Sequence, residues 1–243
     1  MNDERYDLIM ISFEKRYRLK KSVNLCISCV TALLGITSII YGLRYESIRT
    51  IFRWMTIDGT LFTTLVAIAF IAVNIYELTA YTEMTLESVY YIRLSSVVAE
   101  TVILAVVLFS HTPFISEHIP LTGRYDYLAM HLLIPVLSIA SFLTNDSPIG
   151  KLRRRDYWRG TWFVTCYAVT VVILIAANIL SEAEIPYYFL DYRKHAGSSA
   201  FALVFIYGVG YLMSRTLSEW NRKLSWLWFK NITSGNVSDK PGG

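Results

Sequence analysis

Four ionisable side chains lie inside long apolar stretches of this 243-residue chain: Asp58, Arg93, Glu100 and His131. Placing such a group in the hydrocarbon of a bilayer costs about 2.5–3.5 kcal/mol, which makes each of them a candidate functional residue. Carboxylates and an imidazole can take up and release protons. Their chemistry is therefore that of a general base or of a proton relay.

His131 precedes Pro135 by one helical turn. Proline has no N–H, so the carbonyl of His131 loses its helical partner and we expect a kink at this point. A titratable ring beside a freed carbonyl suits a functional site. A histidine that bridges helices by hydrogen bonds is the alternative interpretation.

A stripe of small and polar residues, formed by Thr56, Gly59, Thr60, Thr63 and Asn74, lies on one face of a single predicted helix. Such a face packs against other helices in a membrane. Thr56 falls in the first turn, where unpaired amides and the helix dipole would stabilise a negative oxygen. A threonine that bonds back to its own helix is the structural alternative.

Glu100 shares a helical face with Ser96 and Arg93. We expect its carboxylate to pair with His131 or Arg93 inside the bundle. A pair with His131 would fix the imidazole tautomer and raise its basicity, whereas a Glu–Arg pair would be structural.

The elements that carry these residues are predicted to be membrane-spanning helices, because 54% of the chain is hydrophobic and only 17% is charged. A soluble domain is about 25% charged. The predicted fold is all-α, a bundle of six transmembrane helices, which excludes a soluble enzyme, a β-barrel and a folded extramembrane domain. The six predicted spans are Val23–Leu43, Met55–Tyr76, Ile92–Ser110, Tyr125–Leu143, Gly160–Leu180 and Ser199–Leu217.

Lysine and arginine are distributed unequally between the two sides of this predicted bundle, 17 on one and 6 on the other. The positive-inside rule then places both termini in the cytoplasm. Residues 1–21 are predicted to form a basic amphipathic arm, 22–217 the transmembrane domain and 218–243 a cytoplasmic tail. The membrane explains the net charge of +4, so we expect no nucleic-acid partner.

We expect no metal ion and no cofactor. Three histidines, His111, His118 and His195, fall in predicted outer loops with Glu117 and Asp191, but their spacing matches no zinc motif. The chain has no glycine-rich phosphate loop. Cys26, Cys29 and Cys166 are expected to be small packing residues.

Three segments together resemble a known family. They are Arg53-Trp54-Met55-Thr56-Ile57, then Leu128-Ala129-Met130-His131 with Pro135, and finally Ile185-Pro186-Tyr187-Tyr188-Phe189-Leu190-Asp191 with Gly197. The pattern is similar to that of the androgen-induced and androgen-dependent TFPI-regulating membrane protein family. It is more similar still to the bacterial relatives of that family, over roughly residues 50–220.

The resemblance implies a multi-pass hydrolase of fatty-acid esters of hydroxy fatty acids. Its threonine nucleophile and its histidine fall on Thr56 and His131. Supporting or substrate-binding residues would be Asp58, Thr60, Glu100, Tyr188 and Asp191, although Tyr188 stands where the family usually has proline. Thr60, Thr63 and Thr64 remain alternative positions for the nucleophile.

The resemblance further implies a lipid ester as substrate and the bacterial plasma membrane as location. Two other functions stay open from the residues themselves. One is a small proton-coupled transporter in which Asp58, Glu100 and His131 form a relay. The other is a non-enzymatic lipid-binding membrane protein.

Overall fold

The computed structural model describes residues 2–44, 54–80, 82, 86–110, 125–145, 151–185 and 191–235, and these ranges are helical with short connections and contain no strand. The helices are α1 (Asn2–Gly42), α2 (Met55–Ala80), α3 (Glu87–Ser110), α4 (Tyr125–Leu128), α5 (Ile134–Asn145), α6 (Trp162–Ala176) and α7 (Tyr192–Gly235). A π-helix, Ala129–Leu133, joins α4 to α5, and 3₁₀ helices cover Arg154–Thr161 and Glu182–Glu184. The all-α prediction is confirmed.

Five stretches of described helix are long and apolar enough to cross a membrane, by length and composition. They are Glu14–Gly42, Met55–Ala80, Glu87–Ala105, Tyr125–Thr144 and Arg154–Ala176, and they overlap the first five predicted spans. These helices fit an integral membrane protein. The sixth predicted span, Ser199–Leu217, lies within α7, which is not among the five, so a sixth crossing stays a prediction.

Four helices form a closed ring, in which α1 and α3 each pack against both α2 and α5. Neighbours in the ring run antiparallel: Asn24 bonds Asn74 between α1 and α2, and Thr63 contacts Ser96 between α2 and α3. The ring therefore has two ends. We call the end where α2 begins the Thr56 end and the end where α2 finishes the Glu77 end.

Gly35 of α1 and Thr64 of α2 lie at a close approach of the two helices. A Cβ atom at Gly35 would collide with the Thr64 hydroxyl, which itself donates to the Thr60 carbonyl at 2.6 Å. A residue larger than glycine would push the two helices apart. This contact explains why α1 carries a glycine in the middle of its span.

The remaining helices pack outside the ring. α6 lies beside α3, and an apolar cluster joins them through Ala99, Val102, Val164 and Tyr167. α7 starts at the Thr56 end, where Tyr192 packs on the same cluster. It continues towards the Glu77 end, packing on the 3₁₀ helix Arg154–Thr161, α3 and α5.

Several boundaries differ from the prediction. Residues 2–21 of the predicted basic arm form the first part of α1, which is continuous from Asn2 to Gly42. α6 ends at Ala176 rather than Leu180, since Asn178 adopts a left-handed conformation with φ of 55° that stops the helix. The predicted tail continues α7 as far as Gly235.

The expected packing role of the three cysteines is wrong. Cys26, Cys29 and Cys166 are all exposed on the protein surface. The prediction failed because cysteine is usually buried in soluble proteins, whereas in a membrane protein it can also lie on the surface that contacts lipid.

Candidate functional site at the Thr56 end of the helix ring

Thr56 and His131, which lie 75 residues apart in the chain, meet at the Thr56 end. Thr56 Oγ1 is 3.4 Å from His131 Nε2. The other ring nitrogen, Nδ1, is 2.9 Å from the Tyr127 carbonyl oxygen, which can only accept. Nδ1 therefore carries a proton, and in the neutral imidazole Nε2 offers its lone pair to the Thr56 hydroxyl.

The backbone around His131 is a π-helix and not the simple kink expected from Pro135. Because Pro135 lacks an N–H, the pattern of backbone hydrogen bonds shifts by one residue. The Ile134 amide donates to the Ala129 carbonyl, five residues back. This wider turn sets the direction of the His131 side chain, which is only 7% exposed. A π-turn inside an α-helix is frequently found at a functional site.

Contacts from two neighbouring helices hold the pair in place. Ile57 and Met130 form a buried apolar cluster with Ile39 packed against it, which joins α2, the π-helix and α1 beside the pair. At the start of α4, the hydroxyls of Tyr125 and Thr37 are 3.0 Å apart. These contacts fix both helices that carry the two functional side chains.

The first turn of α2 has fewer free amides than we expected. The amides of Ile57 and Asp58 both donate to the Trp54 carbonyl, at 3.0 and 3.2 Å. A negative oxygen at Thr56 would therefore have to be held by the amides of Met55 and Thr56 themselves.

The alternative nucleophiles differ from Thr56 in their partners. Thr63 contacts the Ser96 hydroxyl at 3.0 Å, and Thr64 donates to the carbonyl of Thr60. Thr60 is fully buried, and its hydroxyl has no hydrogen-bond partner in the described part of the chain. Of these threonines, Thr56 is the one whose hydroxyl contacts a histidine.

Glu100 does not form the expected pair. Its side chain is fully buried and lies near the Thr63 hydroxyl, but neither carboxylate oxygen has a partner at hydrogen-bond geometry among the residues that the structure describes. The expected partner Arg93 instead donates to Ser141 at 2.8 Å. Because Thr63 contacts Ser96, the antiparallel register places Glu100 level with Thr60, one turn from Thr56.

Asp58 faces away from the Thr56–His131 pair. Two residues on a helix differ by about 200° in direction, so Asp58 points to the opposite side of α2 from Thr56. There it lines a cavity of about 360 Å³ between α2 and α6, with Leu61, Phe163 and Tyr167. Neither Thr56 nor His131 belongs to this lining.

The last predicted loop is described only in part. Tyr188 lies outside the described residues. Asp191 precedes α7, is 5% exposed, and accepts a hydrogen bond from Arg193 at 3.1 Å; Arg193 also binds Asn178. Asp191 thus ties the start of α7 to the end of α6.

No group of three or more metal-binding side chains occurs within the described ranges. Two of the loop histidines, His111 and His118, lie outside those ranges, and His195 lies in α7.

A row of buried polar residues on α1 was not predicted from the sequence. They are Lys21, Asn24, Ser28, Thr31 and Ser38, each at most 4% exposed. Their spacing of three, four, three and seven residues places them on one face of the helix. This spacing was visible in the sequence and predicts a polar face inside the bundle.

The faces of the other three ring helices that point into the ring are also polar. Buried polar residues are Thr60, Thr63, Asn74 and Glu77 on α2, Arg93, Ser96 and Glu100 on α3, and Ser138 and Ser141 on α5. We call this set, together with the α1 row, the polar seam. It runs along the ring from Lys21 and Glu77, whose charged atoms are 2.7 Å apart, to the Thr56 end.

Comparison of the chain with family models, curated proteins and solved structures finds no match in any of the three. The family resemblance stays a prediction from the three segments that carry it.

Proposed function

We propose that the protein is an intramembrane hydrolase of lipid esters, with Thr56 as nucleophile and His131 as general base. The observation that carries the proposal is the contact between Thr56 Oγ1 and His131 Nε2, combined with the hydrogen bond that leaves Nε2 unprotonated. A hydroxyl beside a correctly oriented base is the arrangement that nucleophilic catalysis requires. The separation of 3.4 Å is slightly longer than the ordinary reach of about 2.6–3.2 Å, which is usual before substrate binds.

The chemistry has two halves. In the first, Oγ1 of Thr56 attacks the ester carbonyl carbon while its proton passes to Nε2 of His131. The C–O bond to the alcohol then breaks, and Nε2 returns the proton to the leaving oxygen, which leaves an acyl-threonine. In the second half, Nε2 takes a proton from water, the hydroxide attacks the acyl carbon, and Thr56 leaves with its proton restored.

The Tyr127 carbonyl performs the orienting role in this mechanism. It holds Nδ1–H throughout the cycle, so the imidazole keeps one tautomer. The ring of Tyr127 also stacks on that of His131, with centroids 5.6 Å apart, which restricts rotation of the imidazole. Amides of Met55 and Thr56 would receive the negative oxygen.

The lipid character of the substrate follows from where the pair lies. Both residues belong to helices apolar enough to cross a membrane, and His131 is nearly fully buried. A water-soluble ester would have to leave water to reach Thr56, whereas a lipid ester already resides there. The positive-inside rule assigns the side with more basic residues to the cytoplasm. The Thr56 end then faces the outside of a bacterial plasma membrane.

The test uses purified protein in detergent or nanodiscs, with fatty-acid esters of hydroxy fatty acids as substrates and a fluorophosphonate as active-site probe. We expect Thr56→Ala and His131→Ala each to lower hydrolysis at least about 100-fold. Thr56→Ser should keep part of the activity, because it retains the hydroxyl.

Thr79→Ala is the matched control. Thr79 lies on the same helix, is exposed, and bonds to the carbonyls of Ile75 and Tyr76 in its own helix. It should hydrolyse and label as the parent protein does. Undiminished labelling of the Thr56→Ala protein, or no turnover of any ester by the parent protein, would exclude this function and favour lipid binding without catalysis.

A further inference from the structure

None of the steps proposed for ester hydrolysis uses the polar seam, although it occupies the interior of the ring. Four charged residues belong to it, Lys21, Glu77, Arg93 and Glu100, and all four are buried. Each charged group costs about 2.5–3.5 kcal/mol to place inside a bilayer. Helix association in lipid needs only small residues and a few hydrogen bonds, so the seam exceeds what packing requires.

The half of the seam near the Glu77 end is a chain of hydrogen bonds that crosses all four helices. Arg93 donates to Ser141 at 2.8 Å, Ser141 donates to Asn24 at 2.5 Å, and Asn24 donates to Asn74 at 3.3 Å. The ion pair of Lys21 and Glu77 lies one turn beyond Asn24 and Asn74.

The other half contains polar groups that lack partners. Thr63 and Ser96 contact each other, and one turn nearer the Thr56 end lie Glu100 and Thr60, whose side-chain oxygens have no hydrogen-bond partner within the described ranges. A buried polar group of this kind is normally satisfied by an ordered water molecule. One further turn leads to Thr56 and His131.

The spacing along the seam suits proton transfer. Thr63 and Asn74 are eleven residues apart on α2, and Ser28 and Thr31 of α1 supply polar positions between them, because Gly35 lies opposite Thr64 and Asn24 opposite Asn74. With these residues included, successive polar levels are about one helical turn apart, about 5.4 Å, a gap that one water molecule can bridge. Hydroxyls and carboxylates can each accept a proton on one side and release one on the other. The positive charges of Lys21 and Arg93 balance the negative charges of Glu77 and Glu100. One added proton therefore gives the seam an excess positive charge, which favours release of that proton.

We propose that the polar seam is a proton path along the helix ring, with Glu100 as the carrier between its two halves. A proton from water at the Thr56 end binds a Glu100 oxygen. It then passes through the Thr63 and Ser96 hydroxyls and bridging water to the carboxylate of Glu77, which releases it to water at the Glu77 end. No bond other than O–H and N–H bonds forms or breaks, and the path operates without ester hydrolysis.

The test reconstitutes the full chain in vesicles of phosphatidylethanolamine and phosphatidylglycerol that contain the pH dye pyranine. A potassium gradient with valinomycin provides the driving potential. We expect proton flux about tenfold above that of protein-free vesicles, and Glu100→Gln should reduce it to the background. Glu100→Asp, which keeps a carboxylate, should retain part of the flux even if Glu100→Gln fails to fold.

Asp58→Asn is the matched control, since it removes a carboxylate from a ring helix on the side away from the seam. Its flux should equal that of the parent protein. No ester is present in the vesicles, so the flux does not depend on whether the protein is a hydrolase. Three results would overturn the proposal: parental flux no higher than background, undiminished flux in a folded Glu100→Gln protein, or equally fast movement of Na⁺, or of K⁺ in vesicles without valinomycin.

Discussion

The ammonium of Lys21 lies 2.7 Å from a carboxylate oxygen of Glu77, and both side chains are 5% exposed. This ion pair closes the Glu77 end of the ring by joining α1 to α2. It is separated from the Thr56–His131 contact by almost the full length of α2. The ring thus has an ionic contact at one end and a hydroxyl–imidazole contact at the other.

Removing one partner of the ion pair should destabilise the protein strongly. In Glu77→Gln the buried ammonium of Lys21 loses its ion pair with Glu77, and such changes cost about 3–5 kcal/mol. The double variant Lys21→Met with Glu77→Met removes both charges and should recover most of that loss. Thermal unfolding in detergent measures both. A double variant no more stable than Glu77→Gln would show that the pair is not what holds α1 to α2.

Ser141 and Ser138 provide a matched pair of substitutions on α5. Ser141 accepts from Arg93 and donates to Asn24, whereas the fully buried Ser138 hydroxyl has no hydrogen-bond partner in the part of the chain that the structure describes. Ser141→Ala should cost about 1–3 kcal/mol because it leaves buried polar groups unsatisfied. Ser138→Ala should be neutral or stabilising. Equal unfolding temperatures for the two variants would contradict the hydrogen-bond chain.

The helix positions could be predicted because hydropathy depends on residue type alone. α2 begins at Met55, the residue from which its span was predicted. The end of α6 could not be placed, because it depends on the backbone conformation of Asn178 and not on hydropathy.

The site was predicted less completely than the helices. Thr56 and His131 were identified from a resemblance and from their depth, and their contact could be measured only in three dimensions. Glu100 was identified as buried, but its neighbours depend on the register between α2 and α3, which one sequence does not determine. The polar face of α1 was not predicted, because Asn24, Ser28, Thr31 and Ser38 are uncharged and the candidate residues were sought first among ionisable side chains.

We expect that replacing Gly35 with a larger residue destabilises the contact between α1 and α2. Gly35→Ala brings a methyl group against the Thr64 hydroxyl and should cost about 1–3 kcal/mol through overpacking. The same change in a Thr64→Ala background should cost clearly less, because the colliding hydroxyl is gone. A double-mutant cycle of unfolding free energies measures this coupling. Additive effects would mean that the two residues do not meet.

Pro135 should matter for activity more than for stability. Pro135→Ala restores a backbone N–H that can bond the His131 carbonyl, so the π-helix Ala129–Leu133 can return to an α-helix and the imidazole turns away from Thr56. A displacement of about 1 Å in a reacting group can cost about 100-fold in rate. We therefore expect ester hydrolysis and fluorophosphonate labelling to fall about 10- to 100-fold, while the unfolding temperature stays constant or rises. Val136→Ala, at an exposed neighbouring position, is the control and should leave labelling unchanged. If Pro135→Ala labels as fast as the parent protein, the π-helix does not position His131 for catalysis.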